Sequence, residues 1–139
     1  MKTWLYLPLL LLAVFVMPAC KKTTNEIVIP NQTILVEASP NDWIYDNTDQ
    51  TYNWSTSVPE LNGVNQLDGV IVSMARYAPN SSAAPQEFEM LPQVFANQSY
   101  NVLHNENTVF VQIKGINGVA SAPPPTKVRI KIVLIPSEQ

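Results

Sequence analysis

The chain has 139 residues, of which 46% are apolar and 14% are charged. That is enough for one compact domain and too little for a second core. Eight basic and eleven acidic residues give a net charge of −3 without a basic stripe to neutralise phosphates, so no nucleic acid is expected as a partner. One cysteine and one histidine cannot form an internal disulfide or a zinc site of about three or four such ligands. No cofactor is expected.

The N-terminus has the pattern of a secretion signal. Lys2 provides a positive start, residues 4–16 are almost entirely apolar, and the small residue Ala19 precedes Cys20. The alternative is a transmembrane helix, which needs about 20 apolar residues, whereas this run has about 15 and is interrupted by Pro8. A signal that is removed from the mature protein is therefore favoured.

Residues 17–20, Met-Pro-Ala-Cys, resemble the bacterial lipobox, commonly Leu-(Ala/Ser)-(Gly/Ala)-Cys. The resemblance implies cleavage before Cys20 and lipidation of that cysteine with two or three acyl chains, which would anchor the protein stably to a membrane. Ordinary cleavage that leaves a free thiol is the alternative, but it prefers a small residue where Met17 stands. The lipobox interpretation leaves a mature chain of 120 residues after 19 of the 139 are removed.

The residue after Cys20 bears on the choice of membrane. By resemblance to the sorting rules of bacterial lipoproteins, an acidic residue there implies retention in the inner membrane, and this chain has Lys21. The outer membrane is therefore expected. Residues 21–26, KKTTNE, lack the acidic cluster that some lipoproteins use for surface display, which leaves the periplasmic face and the cell surface both open. The predicted organisation is a signal peptide at 1–19, a tether at 20–25 and one domain at 26–139.

Beyond the tether, apolar residues recur with a period of two, which is typical of strands with one buried face. The clearest case is Thr126–Ile135, where Val128, Ile130, Ile132 and Leu134 share one face and Lys127, Arg129 and Lys131 share the other. Further strands are predicted at Thr33–Ala38, Asp49–Val58, Gly69–Tyr77, Glu87–Leu91, Gln98–Leu103 and Asn107–Lys114, with Glu26–Ile29 as a weaker one.

These strands, separated mostly by proline, asparagine, glycine and serine, predict an all-β domain. The expected architecture is an antiparallel two-sheet β-sandwich, immunoglobulin-like or similar, of about seven to eight strands. A small closed barrel is the alternative. The best helical stretch is Pro59–Asp68, and Gly63 with two asparagines limits it to a turn or two.

The order of several strand and turn motifs is similar to that of a group of short, uncharacterised bacterial lipoproteins. The motifs are Trp43, Tyr52, Val58-Pro59-Glu60-Leu61, Gly69-Val70-Ile71-Val72, Leu91-Pro92 with Phe95, Tyr100-Asn101-Val102, the 109–113 strand and Lys127-Val128-Arg129-Ile130. The resemblance covers nearly the whole mature domain. It implies a single β-sandwich module and a cell-envelope location, and it carries no reaction or ligand.

Catalytic chemistry finds little support among the polar residues. His104 stands at a strand end that enters an asparagine-rich turn, and no Gly-x-Ser-x-Gly motif supplies a nucleophile. Glu87 and Glu89 share one strand face, as a glycosidase pair would require, but without pocket-forming aromatics nearby a solvated face is favoured. We therefore expect no catalytic residue and no enzyme activity.

A cluster of acidic residues and amides offers the one candidate metal site. Asp42, Asp46 and Asp49, interleaved with asparagines, could supply oxygen ligands to calcium. Their spacing is not that of an EF-hand, and aspartate and asparagine are also the residues that turns prefer. A turn is favoured, and no metal is predicted.

The aromatic residues Trp43, Tyr45, Tyr52 and Trp54 are the candidate ligand-binding residues. Exposed flat aromatics can stack on sugar rings, with asparagine and aspartate as polar partners at the rim. The spacing of two within each pair also fits two inward pairs on adjacent strands, which would be ordinary core. The core interpretation is favoured.

The sequence therefore predicts a non-enzymatic binding or structural protein, held to the membrane through Cys20. Envelope proteins or glycans are the candidate partners. A carbohydrate-binding accessory lipoprotein that uses exposed aromatics is the alternative function, and a small hydrolase ranks third.

Overall fold

The computed structural model describes residues 30–61 and 69–136. Within these residues the chain forms nine β-strands and one short 3-10 turn, Pro40–Asp42. The strands are β1 (Gln32–Ala38), β2 (Ile44–Asp46), β3 (Thr51–Ser57), β4 (Gly69–Arg76), β5 (Glu89–Met90), β6 (Gln93–Phe95), β7 (Gln98–His104), β8 (Thr108–Gly115) and β9 (Val128–Ile135).

The strands form two sheets, and every neighbouring pair within a sheet is antiparallel. The four-stranded sheet has the order β1-β9-β4-β5, and the five-stranded sheet has the order β2-β3-β8-β7-β6. The last strand in sequence, β9, thus lies between β1 and β4. The predicted antiparallel two-sheet sandwich is confirmed.

Alternation along the strands creates the core between the sheets. In β9, Val128, Ile130 and Ile132 have no exposed surface, whereas the residues between them are half-buried. In β8 the residues at 109, 111 and 113 are fully buried in the same way. These inward faces are the ones that the period of two predicts, because successive side chains in a strand point to opposite sides.

Seven predicted strands that fall on described residues coincide with β1, β3, β4, β5, β7, β8 and β9. The pattern did not predict β2 and β6, which have three residues each and lie at the two edges of the five-stranded sheet. The weak strand Glu26–Ile29, the signal peptide at 1–19 and the tether at 20–25 lie outside the described residues. So does most of Pro59–Asp68, whose described start is a turn closed by the Leu61 N–H on the Val58 carbonyl at 2.9 Å.

The connector between β8 and β9 crosses one end of the five-stranded sheet. The side chain of Gln98, which is 7% exposed, donates to the Ala120 carbonyl at 2.9 Å and accepts from the Ala122 N–H at 3.3 Å. The Gly115 N–H donates to Ser121 Oγ at 2.9 Å. At this end, backbone takes the place that apolar side chains occupy elsewhere in the core.

Candidate functional site

The lipidation residue predicted from the sequence, Cys20, lies outside the described residues. The described chain begins at Pro30, ten residues later, and enters β1 at Gln32. Across the two described stretches, 30–61 and 69–136, no helix is long and apolar enough to cross a bilayer. Lipidation at Cys20 stays a prediction, because this residue lies outside the described part of the chain.

The structure brings the two predicted aromatic pairs together on adjacent strands. The 3-10 turn, where the Ser39 N–H donates to Asp42 Oδ2 at 2.7 Å, leads the chain into Trp43 just before β2. The Trp43 and Trp54 rings lie with centroids 6.4 Å apart and are 5% and 6% exposed. Both tryptophans belong to the core, so they do not form the exposed platform that the alternative interpretation requires.

The two tyrosines lie nearer to solvent. Tyr45 of β2 is paired directly with Tyr52 of β3, and their ring centroids are 5.0 Å apart. Tyr45 is 42% exposed, whereas Tyr52 is half-buried and packs against the core. The platform of four aromatics is thus reduced to Tyr45 with one partly covered neighbour.

A shallow concavity of about 480 Å³ lies beside these aromatics, on the outer face of the five-stranded sheet. Its lining includes Ile44, Asp46, Asn53, Ser55 and Phe110, contributed by β2, β3 and β8. Ile44 is 73% exposed, and Phe110 is half-buried. The concavity therefore combines apolar side chains with amide, hydroxyl and carboxylate groups.

Local hydrogen bonds hold the polar part of this concavity in place. Asp46 Oδ1 accepts the Thr48 N–H at 2.8 Å, which shapes the loop between β2 and β3. Asn53 Nδ2 donates to Thr51 Oγ1 at 3.1 Å. Two of the four predicted aromatics, Tyr45 and Trp54, line this concavity. The sequence pattern did not indicate Ile44 or Phe110, because their positions depend on the unpredicted strand β2 and on the pairing of β3 with β8.

Two of the three aspartates weighed as calcium ligands, Asp42 and Asp46, make separate local hydrogen bonds in the structure, and Asp49 is exposed in the turn before β3. Asp42 caps the 3-10 turn, and Asp46 accepts the Thr48 N–H in the next loop. In the described part of the chain, no group of three or more histidine, cysteine, aspartate or glutamate residues could hold a metal ion.

Glu89 and Arg76 join the two sheets along one edge of the sandwich. Arg76 forms an ion pair with Glu89, and its guanidinium carbon lies 3.9 Å from the ring centroid of Phe95 in the other sheet. Hydrogen bonds from Gln93, at 3.0 Å, and from Arg76 lower the pKa of Glu89. Glu89 is therefore ionised and occupied by structural partners, while its predicted companion Glu87 is exposed.

A second charged cluster surrounds Glu37, on the outer face of the four-stranded sheet. Glu37 accepts hydrogen bonds from Lys127 Nζ at 2.7 Å, from Arg129 Nη2 at 3.0 Å and from the Tyr77 hydroxyl. Lys127 makes the largest contribution, Tyr77 and Arg129 the next two, and together they lower the pKa of Glu37 from 4.5 to about 2. The cluster is an ionised structural network.

His104 ends β7 and is exposed, as the sequence pattern predicts for a turn histidine. Comparison with known proteins adds no further assignment: no protein-family model, no curated protein and no solved structure matches this chain. The resemblance to short bacterial lipoproteins therefore stays a prediction from the sequence motifs.

Proposed function

We propose that the protein is a lipid-anchored component of the cell envelope, in the outer membrane, whose β-sandwich is a non-enzymatic binding or structural module. The observation that carries this proposal is the order of the N-terminal residues. A positive start and an apolar run are followed by Ala19 and Cys20, the only cysteine of the chain.

The spacing between Cys20 and the first described strand supports the same arrangement. That strand, β1, begins at Gln32, twelve residues after Cys20. A lipidated cysteine at that point would place the whole module beside the membrane, and two or more acyl chains would keep it there.

The carboxylates support a module without acid–base chemistry. A general acid at neutral pH needs a raised carboxyl pKa, and the pKa values of Glu37 and Glu89 are both lowered. Each of these residues is held by cationic and amide or hydroxyl partners that serve the fold.

Substitution of the anchor residue tests the proposal. The Cys20→Ser variant should lose incorporation of labelled acyl chains and move from the membrane to the soluble fraction, because the acyl chains supply the membrane affinity. Circular dichroism of the released variant should match that of the wild type. A wild-type protein that never acquires labelled acyl chains would contradict the anchor.

A carbohydrate-binding accessory function is the second candidate, and the concavity beside β2 favours it. Sugar sites combine a flat apolar surface with amide and carboxylate groups, and Phe110, Asn53 and Asp46 offer this combination. The site shares Tyr45 and Trp54 with the predicted platform and adds Ile44 and Phe110, whereas Trp43 and Tyr52 do not line it.

Titration with soluble oligomers of N-acetylglucosamine tests this second function. Binding should disappear in the Phe110→Ala variant and persist in Leu103→Ala, because Leu103 is paired with Phe110 on the same sheet face but does not line the concavity. Equal loss in both variants, or equal retention, would argue against the concavity as a sugar site.

A further inference from the structure

The outer face of the four-stranded sheet carries an exposed apolar patch that the core does not use. We call it the β9 face, and we define it by Leu35, Ile71, Met90, Lys131 and Ile135. The four apolar members are 56%, 37%, 64% and 37% exposed, in that order. With strands about 4.8 Å apart and residues about 3.3 Å apart along each strand, the patch spans roughly 14 by 13 Å.

Strand pairing places these residues in neighbouring rows of one surface. Leu35 is paired with Lys131, and Lys131 with Ser73, which is in turn paired with Met90. One row further along, Ile71 is paired with the half-buried Val133. Because directly paired residues point to the same side of a sheet, the apolar side chains and Lys131 lie on one side, with the buried Ser73 between Lys131 and Met90.

The charge of this face is opposite to that of the rest of the protein. Lys127, Arg129 and Lys131 lie on this side together with Glu37, and these four residues sum to +2. The mature chain, which lacks Lys2, has a formal side-chain charge of −4, so its other residues together sum to −6. Lys131 Nζ lies 4.5 Å from the centroid of the Phe88 ring. An anionic surface would therefore attract this side and repel the others.

The short distance along the chain between Cys20 and β1 favours a membrane as the binding partner of the β9 face. The first described strand of this sheet, β1, begins at Gln32, twelve residues after Cys20, and twelve residues reach at most about 40 Å. A bilayer that holds the acyl chains of Cys20 is then always within reach of the face. At such a high effective concentration, a contact that is weak by itself becomes populated.

We propose that the β9 face rests on the headgroup region of the membrane, with its apolar side chains in the interface and its cations on anionic phospholipids. The contact depends on the lipid anchor proposed above for Cys20. It gives the anchored module one orientation, in which the concavity beside β2, on the other sheet, faces away from the bilayer.

Single thiols on the two outer faces test the orientation in the full-length, lipidated chain. The lone native thiol, at Cys20, is consumed by the anchor, so an introduced cysteine can be labelled selectively with an environment-sensitive fluorophore. Leu35→Cys and Leu103→Cys form one matched pair, because these leucines are 56% and 53% exposed on opposite outer faces. Met90→Cys and Val94→Cys form the second pair, at 64% and 63% exposure.

The variants are reconstituted in vesicles of phosphatidylcholine and phosphatidylglycerol. Labels at positions 35 and 90 should shift their emission to shorter wavelength and be quenched by doxyl-labelled lipid, while labels at 103 and 94 keep their aqueous emission. Vesicles of phosphatidylcholine alone, or high salt, should reduce the shift at position 35, since screening weakens the cationic part of the contact.

The outcomes separate the orientation from the anchor. Mass measurement of the N-terminal peptide in the same preparation shows whether Cys20 is acylated. The bilayer contact would be overturned if the protein is acylated and all four labels stay aqueous, or if both members of each pair shift equally. An acidic protein would then be the remaining candidate partner of the face. Protein without acyl chains would overturn both the anchor and the contact.

Discussion

The core and the outer faces of this sandwich are built from alternate residues of the same strands, and they differ in what the sequence demands of them. In β9, Ile130 is fully buried while its neighbour Lys131 is half-buried on the outer face. Inner positions are apolar except where a polar side chain has partners, as Gln98 has, because a polar group without one would lose its hydration uncompensated. The core does not constrain the outer positions in this way. Apolar and charged residues at outer positions can therefore indicate a binding surface.

The two outer faces also differ from each other. The four-stranded sheet carries an apolar patch with three cations beside it, whereas the five-stranded sheet carries a concavity lined by Ile44, Phe110 and polar groups. Exposure of apolar residues by itself does not separate the two faces, since Leu103 and Leu35 are about equally exposed. Charge and the entry of the chain through β1 distinguish them.

The largest effect should come from placing a charge on the inner face. Ile130→Asp removes a buried apolar side chain and buries an unpaired carboxylate, at a cost of about 5 kcal/mol or more. That is comparable with the whole stability of a domain of this size, so circular dichroism should show an unfolded protein at room temperature.

Lys131→Asp is the matched control, one residue away on the outer face. We expect it to stay folded, with a stability within about 1 kcal/mol of the wild type, because a charge at this half-buried outer position keeps access to water. Equal damage at 130 and 131 would contradict the assignment of inner and outer faces.

A smaller effect is expected where backbone fills the inner face. A Cβ at Gly115 would fall 2.7 Å from the carbonyl carbon of Ala120 and closer still to the Val119 carbonyl oxygen. Gly115→Ala should therefore destabilise the domain by about 3 kcal/mol in urea unfolding, since the connector must move. Gly69→Ala is the control, because its Cβ would meet Ile135 at 3.4 Å, and its cost should stay below about 1 kcal/mol. Similar midpoints for the two variants would contradict the close packing of the connector.

The smallest effect should come from the charged cluster on the outer face. The folded state holds the pKa of Glu37 near 2, below its ordinary 4.5, so its ionised form contributes stability above pH 4.5. That contribution is lost as the pH falls from 4.5 towards 2. Melting curves of wild type and Glu37→Gln should differ at pH 6 and converge near pH 2. A difference that does not change with pH would mean that ionisation of Glu37 contributes nothing.

Alternation was sufficient to predict the sandwich and most of its strands. The segments that became β4, β8 and β9 have seven or more residues with a clear period of two, so each strand and its inner face could be read from the sequence. The short strands β2 and β6 carry too few residues to show a period, and each is held at a sheet edge by one neighbour.

Contacts between distant residues explain what the sequence could not predict. Arg76 alternates with the inward residues Val72 and Met74 of β4. Its aromatic partners, Phe95 and Tyr100, lie in the other sheet, and the sequence pattern does not identify them. The concavity likewise depends on β3 pairing with β8, so that Ser55 and Phe110 become neighbours. Such pairings are set by sheet order, which local periodicity does not encode.

Mass spectrometry of the N-terminal peptide from membrane-purified wild-type protein is the most direct test of the proposed anchor. The account predicts a mature chain that begins at Cys20, with 120 residues, and carries the mass of two or three acyl chains on that residue. A chain that keeps residues 1–19, or one that begins at Cys20 with a free thiol, would contradict the lipid-anchored envelope module.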